Sequence, residues 1–209
     1  LCHVDGTMNQ TPKSKLMSEL ASKIPEDSPS YVDITIVDGM FFLHLLKDLP
    51  ATFGNCARVI LAKLCAINSS RIEIVFDKII RPSIKDCQRD KRSSDDRTTT
   101  FNITGPSQKR PVNFLQALRN DSFKDSLVKF LLQQWQEHHF TSIIGNKEIY
   151  ANYNDDCYLF KSVSGQIIKE EIYTLHCEQE EVDSRMIFHM QMAQNHKNIV
   201  IRNCDTDVL

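Results

Sequence analysis

The chain has 209 residues, 25 Lys/Arg against 27 Asp/Glu for a formal net charge of −2, and is 41% hydrophobic and 25% charged. Such a profile suits one globular domain with a substantial core, and the near-neutral total excludes a protein that coats polyanions by bulk charge. No apolar run approaches membrane length, no signal peptide opens the chain, and seven cysteines never closer than nine residues apart exclude a disulfide framework or a zinc pattern.

Residues 1–30 form a polar extension, with TPKSKLMSEL offering one short helix and PEDSPS a linker. YVDITIVDG predicts a strand over 32–37, halted at Asp38 and Gly39. MFFLHLLKDL predicts an apolar helix over 40–49, broken by Pro50, and residues 52–66 predict a second. RIEIVFD gives the next strand, 71–76, ending at Asp77. Residues 78–111 form a basic, Ser/Thr-rich insertion with nine Lys/Arg between 78 and 110, expected to be mobile and at best partly helical. Helical spacing returns over 112–137, where Trp135 reads as a helix-face anchor.

EIYANY, CYLFKSV and GQIIKEEIYTL read as strands, the last two joined by a Ser-Gly turn. From about 178 to 194 the period is 3.6, through Val182, Met186, Met190 and Ala193, and a closing strand over 198–201 has the apolar look of a buried one. Strands alternating with helices imply an α/β fold with a mostly parallel central sheet flanked by helices. Residues 31–209 form the expected core, with the chain a piece of a longer protein.

Three apolar strands run into an acid: ITIVD at Asp38, IEIVFD at Asp77, and IVIRNCDTD at Asp205 and Asp207. In an open α/β sheet the carboxyl ends of parallel strands face one crevice, where ligands bind. Glu180, Glu181 and Asp183 open the Met186 helix and would face the same edge. Gathered carboxylates raise one another's pKa unless cations neutralise them, and Mg2+ or Mn2+ suits all-oxygen ligands. Two such ions about 4 Å apart can clamp the attacking and leaving oxygens of a phosphodiester displacement. Taken singly, each acid also fits an ordinary role as a turn residue, helix N-cap or first-turn acid. After Asp77, Lys85, Arg89 and Arg92 share a helical face, with Lys91 beside them, a row suited to phosphates; a solvated charged loop is the plainer reading.

In VFDKIIRPSIKDCQRDKR, EEVDSRMIFHM, NCDTDVL and VDGMFFLH, the chain resembles the flap-endonuclease branch of the PIN-like nucleases. It looks closest to Asteroid-type relatives and to a transposon-associated set of animal proteins. The resemblance spans roughly 32–209 and implies a nuclease acting on DNA or RNA with two Mg2+ or Mn2+ ions. It assigns Asp38, Asp77, Glu181 and Asp183 to one metal, with Glu180 as substitute for a shifted register, and Asp205 and Asp207 to the second. Lys85 and Arg92 match positions that contact the scissile phosphate. VFDK replaces the family's VFDG, and Asp183 stands where Glu is usual.

Other readings carry less. DTDVL fits the opening motif of haloacid-dehalogenase-type phosphatases, a reading that would need the parent protein to continue with a fresh α/β domain. His176-Cys177-Glu178 mimics the H-x-E of zinc deaminases without the downstream P-C-x-x-C. A catalytically inactive PIN-like module that binds nucleic acid or protein is the alternative to the nuclease. The scattered cysteines favour a reducing, intracellular compartment; the basic stretch is the one nuclear-type feature.

Overall fold

The computed structural model describes residues 31–79, 101–193, 195–196 and 198–203. The fold is α/β, and six strands form one sheet in the order β5-β4-β3-β2-β1-β6. They are β1 Ile34–Asp38, β2 Arg71–Val75, β3 Glu148–Tyr153, β4 Asp156–Val163, β5 Gln166–Glu171 and β6 Ile199–Arg202. β1 pairs in parallel with β2 and β6, and β2 in parallel with β3. β3, β4 and β5 form an antiparallel meander, so the sheet is mixed and its parallel half is the one that carries the strand-end acids. The Ser-Gly turn between β4 and β5 is present, with Ser164 and Gly165 at φ 51 and 79, as a two-residue hairpin with both central residues left-handed requires.

The strands' period of two sorts the core into layers on the two faces. Ile72 and Ile74 of β2, with Ile149 and Ala151 of β3, face the larger apolar cluster, built with helices α1 Gly39–Leu45, α2 Phe53–Cys65, α3 Phe114–Ala117, α4 Asp121–Gln134 and α5 Thr141–Ile144. Phe53 lies within 6.2 Å of Phe101, Phe123 and Phe130, ring centre to ring centre. Trp135, fully buried, anchors the end of α4 by donating its indole N–H to the Ala57 carbonyl at 3.2 Å. The other face is covered by α6, Val182–Met192. There Ile34 and Ile36 of β1 and Val75 of β2 pack on Met186 and Ala193.

Several boundaries differ from the sequence expectation, each for a local reason. The apolar helix expected over 40–49 stops at Leu45: Leu46 is extended and Asp48 turns left-handed at φ 55. The segment 112–137 splits into α3 and α4, because Asn113 and Asn120 each cap a new helix by accepting from Gln116 N–H and Phe123 N–H. The strand expected to run on to Leu175 ends at Glu171 and gives way to a 3-10 turn, Tyr173–Leu175. Among the described strands β6 lies at the edge of the sheet and is only half buried, not a buried one.

The insertion 78–111 also departs from expectation over 101–111, which is packed on the core. Phe101 stacks edge-on to Phe123 at 4.8 Å. The first N–H groups of α2 are satisfied from this segment, Phe53 by the Gln108 carbonyl and Gly54 by that of Pro106. A side chain at Gly54 would meet Pro106 at 2.7 Å, so the approach needs glycine. Arg110 closes the segment by donating to the carbonyls of Leu49, Pro50, Pro111 and Val112. Among the described residues no helix is long and apolar enough to cross a membrane.

The stripe of α6 toward the sheet is not wholly apolar. Met190, expected on it, is 37% exposed, while Arg185 and His189 are buried. His189 Nδ1 lies 2.6 Å from Glu73 Oε2, and Arg71 Nε donates to Glu73 Oε1 at 2.6 Å, so a fully buried carboxylate of β2 ties the helix to the sheet. Removing one partner of a buried ion pair strands the others, at a cost of about 3–5 kcal/mol. Glu73→Ala should therefore lose unfolding free energy of that size in urea titrations; a loss below about 1 kcal/mol would mean the group is solvated.

Candidate metal centre

The parallel half of the sheet has a switch point. The chain leaves β1 for β2 on one side and returns to β6 on the other, with α1 and α6 on opposite faces. The crevice beyond the carboxyl ends of β1 and β6 is where an open α/β sheet accepts ligands.

Asp38 stands there as the last residue of β1 and the N-cap of α1. Its Oδ1 accepts from the N–H of Met40 at 2.9 Å and of Phe41 at 3.0 Å, so the capping role is real. Gly39 follows because the Phe76 ring occupies the space a Cβ would take. Asp77 is held by its neighbours: buried Asn152 brackets Phe76, accepting from its N–H at 2.6 Å and donating to its carbonyl at 2.9 Å. Asp77 Oδ1 then accepts from Val182 N–H, the first residue of α6, at 2.9 Å, and Lys78 N–H donates to the Glu180 carbonyl. These two bonds seat the start of α6 against the end of β2. Asp183 lies in the first turn of α6, and its Oδ1 accepts from Asn203 Nδ2, just past β6, at 2.7 Å.

The structure thus brings Asp38, Asp77 and Asp183 together from three elements. Burial, reinforced by the charges of Asp77 and Asp183 and opposed by the two cap hydrogen bonds, pushes the Asp38 carboxyl from 3.8 up to about 6. Glu181 occupies the N-cap position of α6 but makes no side-chain cap bond, and its residue is exposed. Glu180 is half-buried and contributes its carbonyl to Lys78. Asp205, Asp207, Lys85, Arg89, Lys91 and Arg92 lie outside the described residues.

Sequence reasoning missed the residues that set this geometry. Arg185 is 1% exposed and donates to the carbonyls of Gln179, Asn154 and Cys177, which fixes the loop that delivers Glu180, Glu181 and Asp183. Its signal was visible: at three residues past Val182, a charged side chain falls on the inward stripe. Lys78 pairs with Asp155 at 2.6 Å, which gives that lysine a carboxylate partner outside the trio. Asn152 had no signal, since a polar residue in a strand meander reads as outward-facing.

A donor set of carboxylates at a half-dry strand edge, one of them held far above its ordinary pKa by burial and, to a lesser degree, by its neighbours' charge, fits a hard divalent cation such as Mg2+ or Mn2+. Comparison of the chain with family models, with curated proteins and with solved structures returns no match.

Asp38 also sets a pH dependence. Its folded pKa, about 6, exceeds the unfolded value near 3.8, so folding takes up a proton between pH 4 and 6 and the ionised side chain costs stability above pH 6. Asn keeps the capping oxygen without the charge. In metal-free buffer Asp38→Asn should therefore stabilise the protein at pH 7 by up to about 3 kcal/mol, with the gain fading below pH 4. Thermal unfolding at both pH values checks this; a variant less stable at pH 7 would contradict the stated electrostatics.

Proposed function

We propose that the chain is a divalent-metal-dependent nuclease with a PIN-like core of the flap-endonuclease type, hydrolysing phosphodiester bonds in structured DNA or RNA. The observation that carries this reading is the convergence of Asp38, Asp77 and Asp183 at the switch-point crevice, where their charges act on one another. Asp38, Asp77 and Asp183, with Glu181 from the same helix start, would hold one ion. Asp205 and Asp207, which follow β6 in the chain beyond Asn203, would hold the second. When bound, such ions supply Lewis-acid polarisation of the phosphodiester and a hydrolytic water of lowered pKa.

The chain's own residues do the rest. The N–H groups of Met40, Phe41 and Val182 fix one oxygen each of Asp38 and Asp77, which limits how these carboxylates can rotate. Lys85 and Arg92 would position the phosphate, with Arg89 and Lys91 as further backbone contacts, since closely spaced cationic side chains neutralise neighbouring phosphates. Asp155 holds Lys78, which keeps that lysine paired with a carboxylate other than the metal ligands.

Cleavage of branched DNA and of hairpin RNA with Mn2+ tests the reading. Asp77→Asn should lower the rate by about 10²-fold or more, several kcal/mol of transition-state stabilisation, while nucleic-acid binding in a gel-shift assay stays within a few-fold. Lys85→Ala should slow cleavage less. Wild-type protein that binds Mn2+ and nucleic acid without cutting either substrate would instead establish a binding module on the same fold.

A further inference from the structure

A second cluster lies on the antiparallel half of the sheet and shares no residue with the crevice. Asp156 opens β4, Glu171 closes β5, and His176 follows the 3-10 turn. Backbone hydrogen bonds hold the three strands of chain side by side: Ile172 N–H to the Cys157 carbonyl at 2.8 Å, and Cys177 N–H to that of Asp155 at 3.0 Å. One ligating atom from each residue falls within 4.8 Å of the others. His176 Nε2 is 3.0 Å from Glu171 Oε1 and 3.6 Å from Asp156 Oδ1.

These separations have a chemical meaning. In a tetrahedral site with bonds of about 2.1 Å to nitrogen and oxygen, neighbouring ligand atoms stand about 3.4 Å apart. The two distances, 3.0 and 3.6 Å, bracket that edge. Groups outside the trio orient it as outer partners orient metal ligands. Tyr158 donates its hydroxyl to Asp156 Oδ2 at 3.1 Å, leaving Oδ1 as the oxygen nearer the imidazole. The Tyr173 ring lies 5.3 Å from the His176 ring and backs it. Among the described residues, the ion pairs of Asp156 and Glu171 are with His176, and all three side chains are 35–41% exposed, which leaves a face open to solvent.

We propose that Asp156, Glu171 and His176 form a binding site for a Zn2+-class cation, with three protein ligands and one open position. The imidazole separates this site from the all-carboxylate crevice: nitrogen favours Zn2+ and its neighbours in the transition series, whereas oxygen alone suits Mg2+. Occupancy would tie the β4–β5 hairpin to the segment 176–181 that leads into α6. The site does not depend on the nuclease reading.

Calorimetric titration of the full chain with ZnCl2 in excess Mg2+, paired with Co2+ absorption, tests it. Wild-type protein should bind one Zn2+ through this trio, and the Co2+ form should show tetrahedral ligand-field bands without thiolate charge transfer. His176→Gln and Glu171→Gln should each weaken Zn2+ by more than 10-fold, and Tyr158→Phe by about 10-fold, as loss of an outer partner does. Asp38→Asn should leave this affinity unchanged, so failure here and failure of the nuclease reading are separable. Circular dichroism confirms that each variant is folded. No Zn2+ binding by wild type, unaltered affinity in His176→Gln, or a thiolate band would each overturn the proposal.

Discussion

Burial of an aspartate at the end of β1, within the field of two further acids, is the constraint on which the crevice depends. Desolvation penalises the charged form of Asp38 most, while the cap hydrogen bond from Phe41 outweighs the charge of Asp77 and that from Met40 outweighs the charge of Asp183. The caps on Asp38 answer its neighbours' charges but not its burial, and its carboxyl remains pushed up to about 6. A chain that only needed to cap α1 could do so with Ser, Thr or Asn at no electrostatic cost. Keeping aspartate there, within the field of Asp77 and Asp183, is what the proposed cation would account for.

Holding the three acids together falls to buried polar contacts. α6 covers β1 and β2 with a modest apolar patch, and what fixes its position is the Glu73–His189 contact at 2.6 Å and the fan of carbonyls around Arg185. Asn152 does the same for the end of β2 through both backbone atoms of Phe76. Satisfied polar networks in low dielectric specify one arrangement more sharply than apolar packing, because any slip leaves a donor or acceptor orphaned. Placed beside the crevice, they transmit that precision to Asp77, Asp183 and the first turn of α6.

Much of this architecture was legible in the sequence, and the failures have physical reasons. Strands β1 and β2 with their terminal acids, the Ser-Gly hairpin and the buried Trp135 follow from periodicity, turn chemistry and size. Helix ends in apolar stretches were overrun: hydrophobicity continues through Leu46 and Leu49, but capping asparagines and a left-handed Asp48 decide where hydrogen bonding stops. The Ser-Gly turn marks β4 and β5 as antiparallel, but the antiparallel pairing of β3 with β4 could not be told from composition. The segment 101–111 reads as loop because its packing rests on one aromatic, Phe101, and on backbone bonds to α2, neither of which leaves a periodic trace. In the crevice, Asp38, Asp77 and Asp183 were readable as strand-end and helix-start acids, while the trio Asp156, Glu171 and His176 was hidden, being distributed over two strands and a turn.

The proposed nuclease chemistry requires that these carboxylates share a cation. Crystals soaked in MnCl2 and measured at the manganese absorption edge test it directly. An anomalous peak about 2.1–2.2 Å from carboxylate oxygens of both Asp38 and Asp77 is the predicted result. Manganese bound elsewhere while Asp38 and Asp77 touch only protein and water would contradict it.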